Sequence, residues 1–146
     1  MDKKKVITAL NAALEHEMSA MVRYMHHSFI VTGPDRGPLV QFFRARVNEA
    51  ARHAISVGDK ISALGGHPSV KISEIYEPGE QTIAEMLEED IAEERAHYDL
   101  YEGLLKEVED NVAMRVYVEK FICEEQEHIE ELEKYLKGSH GHSHSS

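Results

Sequence analysis

The sequence predicts an all-α protein, an antiparallel four-helix bundle with one long crossover between helices two and three. Four long segments repeat apolar residues at steps of three and four, which is the period of an amphipathic helix. Breaks rich in glycine and proline separate these segments, and none of them alternates apolar and polar residues as a strand would. The breaks after helices one and three are short, whereas the break after helix two spans residues 65–81.

Breaks rich in glycine and proline set the limits of the first two helices. The first runs from about Lys3 to Val31, where "TGPDRGP" interrupts it. The second begins near Pro38, because proline suits the first turn of a helix, and "GGHP" stops it after Leu64.

The third and fourth helices follow the long break. The third begins near Thr82, where "TIAE" has the capping-box pattern Thr-x-x-Glu, and ends near "EDN". The fourth begins almost at once. Short links make each consecutive pair antiparallel. A helix of about 27 residues is roughly 40 Å long, and an extended link over 65–81 reaches roughly 55 Å. The long link can therefore return along the whole bundle.

Composition limits the class of protein. The 146 residues form one domain, with the bundle over 1–137 and a flexible tail rich in His, Ser and Gly over 138–146. A formal charge of −11 argues against nucleic acid as a partner. No apolar run is long enough to span a membrane, and no secretory leader is visible. A single cysteine, Cys123, excludes an intramolecular disulfide and fits a reducing compartment, so we expect a cytoplasmic protein.

Charged and titratable residues interrupt the apolar stripes near the middle of every helix. A buried carboxylate without a partner is costly, so such residues need an ion pair, water or a metal. The fourth helix adds a Glu-x-x-His pair, "EQEH", whose spacing places both side chains on one face. Carboxylates combined with imidazole suit iron or manganese. The residues that share this register are Glu17, His53, Glu94, Glu125 and His128.

Several segments resemble bacterioferritins. "LNAALEHEMSAMVRYMHH" is similar to their first helix, "LGGHP" to the end of the second, and "MLEEDIAEE" and "EEQEHIEELE" to the third and fourth. The resemblance covers about Leu10 to Leu136. It implies a ferritin-like fold with an intrasubunit di-iron, non-haem site. The expected activity is that of a ferroxidase, which oxidises Fe(II) with O2 or peroxide for iron storage or detoxification.

The resemblance also implies a ligand set. Ferritin-like di-iron proteins take one Glu from each of two helices and Glu-x-x-His from the other two. Glu17 and Glu94 match the terminal carboxylates, and Glu125 matches a bridging carboxylate, so these three form the predicted catalytic set. His53 and His128 match the histidines of the two irons. The second bridging glutamate should stand at position 50, where this chain has alanine.

Three hypotheses address the alanine at position 50. In the first, Glu49 replaces the missing bridging carboxylate as a metal ligand, because residues four apart on a helix are also neighbours. A one-residue π-bulge between Glu49 and His53 could bring the carboxylate inward. In the second, metal is held weakly or at one position, mainly by Glu94, Glu125 and His128. In the third, the centre is degenerate and the bundle is not an enzyme.

A further histidine bears on the same question. His97 follows Glu94 at a Glu-x-x-His spacing that the family pattern does not require. It either compensates for the missing carboxylate as a ligand or packs beside Tyr98 near the seam, and we favour packing.

The resemblance leads to four other expectations. Ala51 stands where haem-binding bacterioferritins have methionine, so no haem is expected. The fifth short helix of bacterioferritins is missing, which favours a homo-oligomer such as a dimer or a Dps-like shell of twelve subunits.

We expect Cys123 to be a buried core residue, although thiols lie near the site in some Dps-like proteins. The alternating His140, His142 and His144 either bind a transition metal loosely or belong to a flexible terminus, which we favour.

Overall fold

Four α-helices build the chain. The computed structural model describes the backbone of residues 1–144 and the side chains of residues 1–139. Within this part there is no strand, and no helix is long and apolar enough to cross a lipid bilayer. The predicted four-helix architecture is confirmed. The helices are α1 (Lys3–Ile30), α2 (Arg36–Ala63), α3 (Ile83–Glu107) and α4 (Val112–His144).

The last helix is longer than the sequence predicts. The polar tail was expected to begin at residue 138, but α4 continues to His144. Residues 145 and 146, and the side chains of His140, His142 and His144, lie outside the described part. Flexibility of the tail and metal binding by it stay predictions.

Short polar side chains define where the helices begin. The Asp2 carboxylate caps α1 by accepting hydrogen bonds from two backbone N–H groups of its first turn. The predicted capping box is present at α3: the Thr82 hydroxyl accepts from the Glu85 N–H at 3.1 Å, and the Glu85 carboxylate accepts from the Thr82 N–H at 2.9 Å. Asn111 caps α4 in the same way, accepting from the Met114 N–H at 3.0 Å.

The long connection runs along α1. Near one end of the bundle, the Asn11 amide donates to the His67 carbonyl at 3.2 Å and accepts from the Ser69 N–H at 2.8 Å. Near the other end, the His26 imidazole pairs with the Glu77 carboxylate. The connection therefore spans the distance between Asn11 and His26 on α1. This confirms the predicted crossover, which leaves α1 paired with α2 and α3 paired with α4.

Two apolar clusters form the core, and a charged layer separates them. On α1 the first cluster ends at Leu14 and the second begins at Ala20. On α2 they meet between Ala50 and Ala54, and the same gap occurs on α3 and α4. Apolar packing on both sides holds the four helices at a fixed separation. The charged side chains that fill the gap are therefore held by rigid elements.

Candidate metal centre

The five charged residues predicted from the helical stripes converge in the layer between the two clusters. Glu17, Glu94 and Glu125 are 2%, 4% and 1% exposed. With His53 and His128 they line a cavity of about 10 Å³. A space this small excludes an organic substrate.

Glu17 and Glu125 lie at the middle of this layer. Glu17 Oε1 is 2.9 Å from His97 Nδ1, and Glu17 Oε2 is 3.2 Å from His53 Nδ1. Glu125 Oε1 is 3.5 Å from His97 Nδ1, and Glu125 Oε2 is 3.8 Å from His128 Nδ1. The two oxygens of Glu125 thus face two different groups of donors.

One oxygen of Glu94 is held by neighbouring side chains. The Tyr24 hydroxyl donates to Glu94 Oε1 at 2.8 Å, and Arg23 Nη2 lies 3.7 Å from the same oxygen. The other oxygen, Oε2, lies 3.7 Å from His128 Nδ1. Glu94 is therefore oriented through Oε1 and presents Oε2 to the centre.

The donors fit a pair of metal ions. Glu17, His97 and Glu125 form one group and Glu94, Glu125 and His128 another, each with its ligand atoms within 4.8 Å of one another. Glu125 belongs to both groups. One buried oxygen on each of Glu17, Glu94 and Glu125 has no hydrogen-bond partner in the described structure. Because unpaired buried carboxylate oxygens are costly, divalent cations that accept oxygen and nitrogen ligands match this set.

Glu49 lies behind the histidines instead of between the two donor groups. His128 Nε2 donates to Glu49 Oε1 at 2.6 Å, and His53 Nε2 is 3.9 Å from the same oxygen. Arg46 donates to the other Glu49 oxygen at 2.8 Å. The π-bulge considered for Glu49 is absent, because α2 is α-helix throughout. Ala50 and Glu49 both line the cavity, and the Glu49 carboxylate is bound to the outer nitrogen of His128. Direct ligation by Glu49 stays a prediction.

Glu124 was not among the site residues predicted from the sequence. Its Oε2 lies 2.8 Å from His53 Nε2, which makes Glu124 the counterpart of Glu49 for the other histidine. Metal-binding histidines commonly donate their outer N–H to a carboxylate in this manner, which fixes the ring and raises its basicity. The available signal was the spacing of four residues between Glu124 and His128, which places both near the same helix face.

His97 is buried against aromatic rings, but its neighbours differ from those we expected. Its ring is 1% exposed and stacks on Tyr101 with 4.7 Å between ring centroids. The His16 ring lies at 4.4 Å. Packing beside Tyr98 was the favoured expectation, yet Nδ1 of His97 faces the Glu17 and Glu125 carboxylates.

Cys123 is exposed, so the expectation of a buried core cysteine is wrong. The neighbouring residues explain this orientation. Phe121 and Glu125 are both buried on α4, and a residue midway between two inward positions on a helix points away from the core.

The carboxylates and histidines strongly shift one another's protonation. Burial raises the pKa of Glu125, and the neighbouring Glu94 carboxylate raises it further, to well above its usual range. Burial also acts to raise the pKa of Glu94, but contacts with Glu125 and His128 outweigh it and hold that pKa well below its usual range. Burial lowers the pKa of His128, yet contacts with the surrounding glutamates, Glu125 first, raise it to about 11. His128 therefore holds a proton near neutral pH, which a bound metal would displace.

Related proteins share this architecture. Bacterioferritin of Desulfovibrio desulfuricans is 32% identical over 141 residues, which cover 94% of this chain and 76% of the relative. A nutrient stress-induced DNA-binding protein of Nostoc is 26% identical over 141 residues, covering 90% and 77%.

Solved structures extend the comparison. A ferritin-like di-iron-carboxylate protein from Bacillus anthracis superposes with a TM-score of 0.87 at 30% identity, covering 93% of this chain and 98% of the other. A dodecameric thioferritin from Bacteroides fragilis gives a TM-score of 0.91 at 23% identity, covering 99% and 92%, and it supports the fold alone.

The chain also matches a whole family. The ferritin-like domain family matches residues 7–139, which include most of each helix and every residue of the centre described above. The chain therefore belongs to the ferritin-like domain family.

Proposed function

We propose that this protein oxidises Fe(II) at a two-metal centre inside each subunit and thereby serves iron storage or detoxification. The observation that supports this function is the pair of donor groups that share Glu125. Two ions held by one bridging carboxylate lie close enough to deliver two electrons to a single oxidant.

Iron is the substrate in this reaction, and O2 or peroxide is the oxidant. Two Fe(II) ions each lose one electron, and hydrogen peroxide takes up both electrons with two protons to give two waters. With O2 as oxidant the same two electrons and two protons give hydrogen peroxide. The Glu17, Glu94 and Glu125 carboxylates favour this direction because anionic oxygens stabilise Fe(III) more than Fe(II).

Removal of the shared ligand tests the proposal. Glu125→Ala should abolish most Fe(II) oxidation, followed by the absorbance of the Fe(III) product after Fe(II) is added to the metal-free protein. Glu127→Ala is the matched control, because Glu127 lies on the same helix and is exposed. Equal oxidation rates in Glu125→Ala and the control would contradict Fe(II) oxidation at this centre.

A second candidate function follows from Ala50. With no carboxylate at this position, the bundle could bind a single metal, or none, without being an enzyme. Two irons per subunit would favour the ferroxidase, and one or none would favour the non-enzymatic bundle. If the missing bridge limits oxidation, Ala50→Glu should raise the rate sharply.

The setting of this activity is also part of the proposal. We expect a cytoplasmic protein without haem that assembles into a homo-oligomer, either a dimer or, as we favour, a shell of twelve subunits. DNA binding, which the name of the Nostoc relative states for that protein, is not proposed here. A charge of −11 per chain repels a polyanion, and a gel shift at physiological salt should show no complex.

A further inference from the structure

Helix α2 places an alanine, Ala50, at the position where a bridging carboxylate was expected. Ala50 is 6% exposed and lines the same cavity as the carboxylates. Its methyl group offers no ligand atom, and among the described residues Glu125 is the one carboxylate that belongs to both fully buried donor groups. A two-metal centre would therefore need another donor close to Glu125.

His97 meets this requirement from the neighbouring helix. It follows Glu94 by three residues on α3, which places both side chains on the face that lines the centre. His97 Nδ1 is 2.9 Å from Glu17 Oε1 and 3.5 Å from Glu125 Oε1. The same nitrogen therefore lies where it can share a metal ion with both carboxylates.

The surroundings of His97 fix the direction of Nδ1. The ring packs against Tyr101 and His16, with centroid distances of 4.7 Å and 4.4 Å. Its outer nitrogen, Nε2, has no hydrogen-bond partner in the described structure. The ring is thus oriented by packing, whereas His53 and His128 are oriented by carboxylates on their outer nitrogens.

We propose that His97 is a metal ligand that takes the place of the carboxylate missing at position 50. This inference rests on the two-metal centre of the proposed function. The donor set then contains three carboxylates and three imidazoles, which are Glu17, Glu94, Glu125, His53, His97 and His128.

The exchange of a carboxylate for an imidazole changes which metal the centre prefers. The site is less negative by one charge than a four-carboxylate centre, so it stabilises Fe(III) less strongly relative to Fe(II). Imidazole also favours metals later in the first row, such as Co(II) and Zn(II), over Mn(II). The ligand class is therefore a divalent first-row ion that accepts nitrogen donors.

Titration of the metal-free protein with Co(II) tests the inference without relying on oxidation. Calorimetry and the visible absorption of Co(II) should show two ions per subunit in the wild type. His97→Phe keeps an aromatic ring but removes the donor, so one ion should be lost or bound at least tenfold more weakly. His26→Phe is the control, because His26 lies on α1 at the crossover and pairs with Glu77.

A double variant separates ligation from packing. Ala50→Glu combined with His97→Phe should restore the second Co(II), because glutamate at position 50 supplies the absent donor. Circular dichroism checks the fold, and His97→Ala replaces His97→Phe if the latter does not fold.

The outcomes distinguish this inference from the proposed function. Two Co(II) ions bound by His97→Phe with wild-type affinity would overturn the inference and leave the ferroxidase standing. Two ions bound by the wild type with no Fe(II) oxidation would overturn the ferroxidase and leave ligation by His97 standing. Fewer than two ions in the wild type would overturn both.

Discussion

At the scale of single residues, the two histidines on α2 and α4 share one arrangement. His53 and His128 turn Nδ1 toward the centre and meet a carboxylate at Nε2, from Glu124 and Glu49 respectively. A histidine held in this way enters metal binding with its ring already oriented. Glu49 therefore orients the ring of His128, although it belongs to neither of the donor groups that contain Glu125.

Neutralising these outer carboxylates should weaken metal binding without changing the number of ions bound. Glu49→Gln and Glu124→Gln keep the side-chain size but accept a weaker hydrogen bond, so Co(II) affinity should fall about 10–100-fold. Calorimetric titration measures affinity and stoichiometry together, with Glu127→Gln as the exposed control on α4. Loss of a whole ion in Glu49→Gln would instead show that Glu49 is a direct ligand.

Metal binding should release protons and become tighter as pH rises. The pKa of Glu125 is raised by burial and then by Glu94. The pKa of His128 reaches about 11 despite burial, so His128 holds a proton near neutrality. A metal must displace this proton, and its removal costs less at higher pH. Between about pH 6 and 8 the affinity for Co(II) should therefore increase.

Calorimetry in two buffers of different ionisation enthalpy counts the released protons. The wild type should release a proton from His128 when metal binds. An affinity independent of pH, with no proton release in the wild type, would contradict the assignment of a proton to His128.

At the scale of helices, the sequence was sufficient for the fold. Apolar periodicity marks all four helices, and the capping box at Thr82 marks the start of α3 because these signals are local. The centre was less predictable. One residue along a helix is about 100° of rotation, so only the actual geometry of α2 decides that the Glu49 carboxylate meets the outer nitrogen of His128. Glu124 was missed because its partner, His53, is on another helix.

Two glycines, one just after α2 and one inside α3, should respond to alanine in opposite directions. A Cβ at Gly66, just after α2, would lie 2.7 Å from Ile7 Cγ2 and 3.0 Å from Ile61 Cγ2. Because both contacts involve β-branched side chains on packed helices, Gly66→Ala should destabilise by about 1–3 kcal/mol. Gly103 lies inside α3 with nothing near its added Cβ. Gly103→Ala should therefore stabilise by about 0.5–1 kcal/mol.

Urea unfolding at one fixed protein concentration measures both glycine variants. Gly58→Ala is a second control inside α2, since no atom lies within 4 Å of its added Cβ. Equal unfolding midpoints for Gly66→Ala and Gly103→Ala would show that the close packing of Gly66 against α1 does not restrict the chain.

At the scale of the whole molecule, the outer surface carries apolar side chains that an isolated subunit leaves in water. Val22, Met25 and Phe29 recur at three- and four-residue steps on α1 and are 39%, 38% and 61% exposed. Tyr76 on the crossover is 70% exposed and directly precedes Glu77, which pairs with His26 on α1. Large apolar side chains exposed along one helix face are typical of a contact between proteins.

Subunit association should bury this surface, and a charge placed there should prevent it. Twelve copies of a 16.6 kDa chain weigh about 199 kDa, which is the mass we expect from light scattering coupled to size exclusion. Phe29→Glu introduces a carboxylate whose desolvation in a contact is costly, so the mass should fall while helix content stays the same. Phe29→Leu keeps the site apolar and should leave the assembly intact. A wild-type mass of one subunit, or an unchanged mass for Phe29→Glu, would show that this face of α1 remains in solvent.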